Sequence, residues 1–220
     1  MGIGIYSKLT KKAYSYKNYW GGKGGDDHYN TRKESADDST VIQMNFLKDY
    51  LHKFNFKSVY EIACGYGRFT KLISENFKVD DYVAVDINKS QIKHAKELCD
   101  PKIQFLVTPI EDHKIDKKFD LVFGAEILLH IKPEDIQNII NKLVSLSKKQ
   151  IIIMDMGIDY QHLLKDQKIS PHIRCFQHDL AYLFLKNPKV ESVTQVSASE
   201  KSSLYDVKLK TEIHGGTKNV

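Results

Sequence analysis

Along this chain of 220 residues the apolar positions change period at regular intervals. Val59, Tyr60 and Ile62 form a short apolar run that breaks at "ACGYG", and Phe69, Leu72 and Ile73 then recur at helical spacing. A switch from strand period to helix period across two glycines reads as a strand, a turn and a helix. The unit repeats. "DYVAVD" precedes an amphipathic stretch from Lys89 to Cys99, and "IQFLV" runs into a short loop. "FDLVFGAEIL" leads to a helix opened by Pro133, where Ile136, Ile139, Ile140, Leu143 and Val144 make a broad apolar face. "QIIIMD" is apolar at both parities, as a central parallel strand covered on both sides should be. Alternating strands and helices predict an α/β doubly wound sheet with helices on both faces. The tail differs: "KVESVTQVSA" and "SLYDVKLKTEI" alternate strictly and lie a hairpin apart, which predicts an antiparallel pair added at the sheet's edge.

Ahead of this body, residues 1–39 are rich in Tyr, Lys, Gly and Asp and carry little periodic apolar pattern. They read as a flexible, lid-like segment. Val41, Met44, Leu47 and Leu51 then share a helix face, with Ser39 and Thr40 as candidate caps. The chain therefore divides into an N-terminal lid with its helix, residues 1–55, and one core domain, residues 56–220. A chain of this length suits one well-buried core better than two.

Charge and cysteine content narrow the class. The net charge of +5 comes from lysines spread along the chain, a mildly basic surface that does not demand a duplex-binding stripe. Three cysteines, Cys64, Cys99 and Cys175, have no paired spacing, and no N-terminal apolar run is long enough for a signal or a membrane span. The expectation is a reduced, soluble, cytoplasmic protein. His172, Cys175 and His178 recur every third residue, but paired-cysteine or H-x-x-x-H zinc spacing is missing, so no metal site is assigned.

Chemistry is expected at the carboxyl ends of the strands, beside the switch in strand order. Glu61, Gly65, Gly67 and Asp86 all fall there. Gly65 and Gly67 allow close approach of a ligand to the backbone, and Asp86 ends the second strand where a carboxylate can accept both hydroxyls of a ribose. The dinucleotide pattern G-x-G-x-x-G would need a glycine where Thr70 stands. An acid at Glu61 suits a cation better than a pyrophosphate. A ligand with a ribose and a positive charge is S-adenosylmethionine.

These residues carry a family resemblance. "EIACGYGRF" resembles the first motif of class I S-adenosylmethionine-dependent methyltransferases, with Ala63 where the first glycine is usual. "YVAVDIN" resembles their second motif, and "FDLVFGAEILLHIKPED" the fourth strand and following loop of small-molecule members. The resemblance implies a Rossmann-like seven-stranded sheet with an antiparallel C-terminal edge strand, S-adenosylmethionine as cofactor and S-adenosylhomocysteine as product. It places the cofactor on Glu61, Ala63, Gly65, Gly67, Asp86, Ile87 and Ala125. In "VTPIED", Pro109 stands where an adenine-binding aspartate is common, leaving Ile110 to offer its backbone N–H and Glu111 as a substitute acceptor.

The acceptor side is argued from position. His130, after the fourth strand, is the candidate general base, with a structural histidine as the equal alternative. Arg32 is the N-terminal cation suited to the cofactor's carboxylate. Tyr19, Trp20 and Tyr29 in the head, with Tyr160, His172, Arg174 and His178 after the fifth strand, are candidate acceptor-binding residues. This lining suits a small polar metabolite, sugar-like or anionic, methylated on O or N. No base-methylation motif follows the fourth strand, which argues against nucleic acid, and a homodimer is compatible with the fold. An RNA or protein methyltransferase, or a non-catalytic partner subunit with this fold, stands as the alternative.

Overall fold

The computed structural model describes residues 15–32, 38–156, 175–176, 178–199 and 202–211. Within them the strands are β1 (Ser58–Ile62), β2 (Asp81–Asp86), β3 (Gln104–Val107), β4 (Phe119–Ala125), β5 (Ser147–Met156), β6 (Val190–Ser197) and β7 (Ser202–Leu209). The helices are α1 (Tyr16–Trp20), α2 (Lys23–Arg32), α3 (Asp38–Leu51), α4 (Arg68–Asn76), α5 (Lys89–Leu98), α6 (Ile136–Leu146) and α7 (Leu180–Leu185). The strands form one seven-stranded sheet in the order β3-β2-β1-β4-β5-β7-β6. From β3 to β5 neighbours are parallel, and β7 is antiparallel to both β5 and β6. The last strand is antiparallel, as expected. It lies inside the edge pair, and β6 takes the outer position. Strand order reverses between β1 and β4, so the switch point opens at their carboxyl ends.

Strand parity divides the core. Tyr60, Ile62, Val83, Val85, Val122 and Ile153 face one side, where Ile136, Ile139, Ile140 and Leu143 of α6 cover them. Val59, Tyr82, Ala84, Leu121, Phe123 and Ile152 face the other, under Leu47 and Leu51 of α3, Phe69 and Ile73 of α4, and Ile92 and Ala95 of α5. Both faces of the central strands are covered, which is why they read as continuous apolar runs.

Three expectations change. Helix α3 begins at Asp38, so Ser39 and Thr40 lie inside it. Its buried face is Thr40, Gln43, Leu47, Tyr50 and Leu51, while Val41 is 45% exposed. Polar anchors turn the helix this way: Gln43 donates to Ser202 Oγ at 3.2 Å, and the Tyr50 hydroxyl to Asp206 at 2.8 Å. Helix α6 starts at Ile136 after Asp135, because Lys132–Asp135 close a separate turn through Asp135 N–H to Lys132 O at 2.9 Å. The described glycine-rich part of the head, residues 15–32, folds into α1 and α2. A Cβ on Gly24 would overlap the Tyr19 ring and one on Gly25 the Asn88 amide, so these glycines serve close approach rather than looseness.

Among the described residues no helix is long and apolar enough to cross a membrane, and no group of three His, Cys, Asp or Glu side chains could hold a metal ion.

Candidate active site

The turn after β1 is built from residues in the left-handed region. Ala63 has φ 50°, Gly65 φ 56° and Gly67 φ 90°. The two glycines do different work. Gly65 lines a cleft of about 300 Å³ at the switch point, a size suited to a cofactor-scale ligand. Gly67 precedes α4 and faces away from the cleft: a Cβ there would come within 2.9 Å of Cys99 Sγ and 3.1 Å of Ala95 Cβ. Its glycine serves the packing of α4 on α5. Ala63 lines the cleft and holds a positive φ with a Cβ present, a conformation costing about 1–2 kcal/mol for an L-residue.

Asp86 ends β2 on the cleft wall and is 8% exposed. Its Oδ2 accepts the Gly65 N–H at 2.9 Å and its Oδ1 the Asn88 N–H at 2.8 Å. Burial pushes its pKa up, against the pull of these backbone donors. Each oxygen keeps lone-pair capacity toward the cleft, so the carboxylate can take two adjacent hydroxyls. Ile87, Val85, Pro109 and Ile110 supply apolar wall beside it. The fit to a nucleoside rests on this carboxylate and the bare Gly65 backbone. Glu111 has another partner, since the Tyr16 hydroxyl donates to it and Lys17 lies 3.6 Å away.

Glu61 does not line the cleft. It points into the core on the α4 side, 1% exposed, where Oε2 accepts from Thr70 Oγ1 at 2.6 Å and from Tyr82 Oη at 2.7 Å. Burial pushes its pKa up to about 7, opposed by those two donors. A raised carboxyl pKa stabilises the fold at low pH, and that stability is lost as pH rises from the ordinary carboxylate range through about 7. Glu61→Gln keeps an oxygen for both donors and removes the titration. Urea denaturation should show wild type losing stability relative to the variant between pH 5 and 8, by on the order of 1–3 kcal/mol. A constant difference across that range would exclude a protonated Glu61.

On the other side of the cleft, β4 delivers Ala125, Glu126, Ile127 and His130. Glu126 has φ 53°, and its N–H donates to Met154 O at 2.8 Å. A bulky residue with positive φ is strained, and such strain gathers at functional sites. Its carboxylate meets the Arg68 guanidinium at 3.1 Å. Buried Asp155 at the end of β5 accepts the N–H groups of Leu128 and Leu129 at 2.8 and 3.2 Å, fixing the 3₁₀ turn Leu128–His130. His130 is thereby held at the cleft, 8% exposed, with its ring 4.7 Å from that of Trp20.

Helices α1 and α2 supply Tyr16, Trp20 and His28 to the cleft. Of Tyr19, Trp20 and Tyr29, named from sequence, Trp20 reaches it. Tyr19 packs edge-on to Trp20, and Tyr29 stacks on His94 at 3.7 Å between ring centroids. Both lie outside the cleft wall. His178 is also away from it: its Nε2 donates to Ile131 O at 2.9 Å, burial lowers its pKa, and it braces the 3₁₀ turn from outside. Half-buried Cys175, whose pKa burial pushes up to about 11, has no metal partner set among the described residues. Arg32 ends α2, but its side chain lies outside the described residues, as do Tyr160, His172 and Arg174. Sequence reasoning missed Tyr16, His28, Tyr66, Arg68 and Gln91, all of which line the cleft. Arg68 and Tyr66 flank Gly67 and were within reach of the turn motif; the others are brought in by tertiary contact alone.

Known proteins bear on this arrangement. A family model described as a methyltransferase domain matches residues 59–150. A putative methyltransferase 235L of Invertebrate iridescent virus 6 is 32% identical over 145 residues, 65% of this chain and 54% of that protein. A malonyl-[acyl-carrier protein] O-methyltransferase of Ilyobacter polytropus is 26% identical over 140 residues, 63% of this chain and 49% of its own. This chain thus spans about half the length of the curated relatives it matches. Among solved structures, magnesium protoporphyrin IX methyltransferase of Synechocystis PCC 6803 with bound S-adenosylhomocysteine superposes with a TM-score of 0.68 at 16% identity, covering 88% of this chain and 98% of that one. The N-methyltransferase NodS of Bradyrhizobium japonicum WM9 in complex with S-adenosylhomocysteine gives 0.64 at 15% identity, covering 85% and 99%. The segment matched by the family model contains the glycine turn, Asp86 and the β4 loop together, so residues 59–150 are similar to a methyltransferase domain, and the solved methyltransferases share the fold of this chain.

Proposed function

We propose that this protein transfers a methyl group from S-adenosylmethionine to an oxygen or nitrogen of a small polar acceptor. The observation that carries the reading is the Asp86 carboxylate, set by backbone donors on the cleft wall beside bare Gly65, with His130 across the same cleft. Both O- and N-methyltransferases occur among the relatives and structural neighbours, which supports the scaffold for either transfer. Asp86 would hold the ribose, Ile87 and Ile110 would flank the base, and Ala63, Gly65 and Ala125 would border the remainder. Bound there, the cofactor supplies a sulfonium methyl, an electrophile that needs alignment more than activation.

The chain's own residues do the rest. Trp20, His28 and Tyr66 wall the acceptor side with aromatic surface and exclude water. Arg68 and Glu126 form an ion pair at its rim, so neither charge is spent alone. His130 takes up the proton that a hydroxyl or ammonium acceptor must release. A sugar-like or anionic acceptor remains the preferred class, on the polar residues the sequence places after β5.

Asp86→Ala tests the assignment. Loss of a charged double acceptor should weaken S-adenosylhomocysteine binding by about 1.5–3 kcal/mol in calorimetric titration. It also strands the Gly65 and Asn88 N–H groups, so the variant should melt lower, which strand-end position alone would not predict. Wild-type affinity in a folded variant would remove Asp86 from the cofactor site.

A further inference from the structure

The lid is fastened to the start of α5 by two side-chain amides. Asn88 Nδ2 donates to Trp20 O at 3.0 Å and to Gly22 O at 3.1 Å, and Gln91 Nε2 donates to Gly25 O at 2.9 Å. Both residues are nearly inaccessible, at 2% and 4% exposure. The Asn88 N–H holds Asp86 Oδ1 at 2.8 Å, and Asn88 Oδ1 caps α5 by accepting the Gln91 N–H at 2.9 Å. The Gln91 side chain lines the cleft, and its Oε1 would lie 2.7 Å from a Cβ on Gly65. One helix start therefore grips the lid with its amide donors and the cradle with its other polar groups.

From this double attachment we propose that Asn88 and Gln91 are positioning residues that couple closure of the lid to occupancy of the cleft. The proposal rests on reading the cleft as the cofactor site. A ligand on Asp86 and against Gly65 fixes the start of α5, and with it the two donors that the lid carbonyls need. Coupling is reciprocal, so the docked lid slows the ligand's departure. Glycine at position 25 belongs to the device, because a Cβ there would overlap the Asn88 amide.

Trp20 is the only tryptophan in the chain and sits in the lid, so its fluorescence reports docking directly. Acrylamide quenching of Trp20, with and without S-adenosylhomocysteine, would be read beside the dissociation rate of that ligand in stopped flow. Gln91→Met keeps side-chain length and removes the donor. Trp20 should become more quenchable without ligand and regain protection at saturation, and the ligand should leave about tenfold faster, the order expected for one buried hydrogen bond. Gly25→Ala disturbs the neighbouring contact of the Asn88 amide with the Trp20 carbonyl from the lid side, so it should reproduce both effects even if Gln91→Met folds poorly. Folded variants that bind S-adenosylhomocysteine with wild-type quenching and wild-type dissociation would overturn the coupling alone. Wild-type protein that gives no binding heat with S-adenosylhomocysteine would overturn the cofactor reading, and the coupling with it.

Discussion

Gly65→Val should abolish measurable S-adenosylhomocysteine binding, a loss of at least about a hundredfold, on the order of 3 kcal/mol. Two costs combine at this position. The backbone has φ 56°, where a β-branched residue is strained by about 1–3 kcal/mol. The added Cβ would also lie 2.7 Å from Gln91 Oε1, and the rest of the side chain would project beside the cleft wall. Ala63 separates these effects, because it holds φ 50° with a Cβ already present in the same turn. Left-handed strain is therefore tolerated here, and the larger part of the expected loss is steric. Titration of the variant at a temperature where circular dichroism shows it folded decides the matter. Affinity within a few-fold of wild type would mean that the ligand does not approach Gly65.

What the sequence made legible follows from what is local. The βα turn was readable because Val59, Tyr60 and Ile62 change period into Phe69 and Ile73 across two glycines, and the structure places β1 and α4 there. Asp86 was readable because a strand end and a carboxylate coincide. The different tasks of Gly65 and Gly67 were not, since only the packing of Cys99 and Ala95 tells them apart. Glu61 looked like a ligand for a cation because its side of the strand cannot be read in a strand buried on both faces. The head looked loose because glycine pairs read as breakers, whereas Gly24 and Gly25 are required by Tyr19 and Asn88, the latter far along the chain. The same distance hid the cleft wall beside His130: Trp20 packs against the His130 ring and His28 against Trp20, contacts made only because α1 and α2 dock on the core. The inward face of α3 was misjudged at Val41 because Gln43 and Tyr50 are buried for their hydrogen bonds to β7.

The β4 loop shows how positioning precedes chemistry. Asp155 fixes the N–H groups of Leu128 and Leu129, Phe176 N–H donates to Leu129 O at 2.7 Å, and His178 holds Ile131 O. A turn clamped from β5 and from the segment before α7 presents one imidazole to the cleft. Such investment in a single orientation is what a proton acceptor needs, because a base must lie within hydrogen-bond reach of the proton it removes.

His130→Ala should therefore lower kcat by roughly 10²–10⁴-fold while leaving S-adenosylhomocysteine affinity within a few-fold of wild type. The half of the cleft around Asp86 and Gly65, proposed for the cofactor, does not include the imidazole. Removing the ring also takes a contact from Trp20, which lies 4.7 Å away between centroids, so a stability loss must be separated from a chemical one. Two measurements do this. The rate is expressed per folded molecule, and the pH profile is taken for both proteins. A general base loses activity on protonation, so wild type should fall at the acid side of its profile and His130→Ala should lack that limb. His130→Phe, which restores ring packing without a proton acceptor, should regain stability and stay slow. Turnover near wild type in either folded variant would assign the rate to alignment and exclusion of water, with His130 as the packing partner of Trp20.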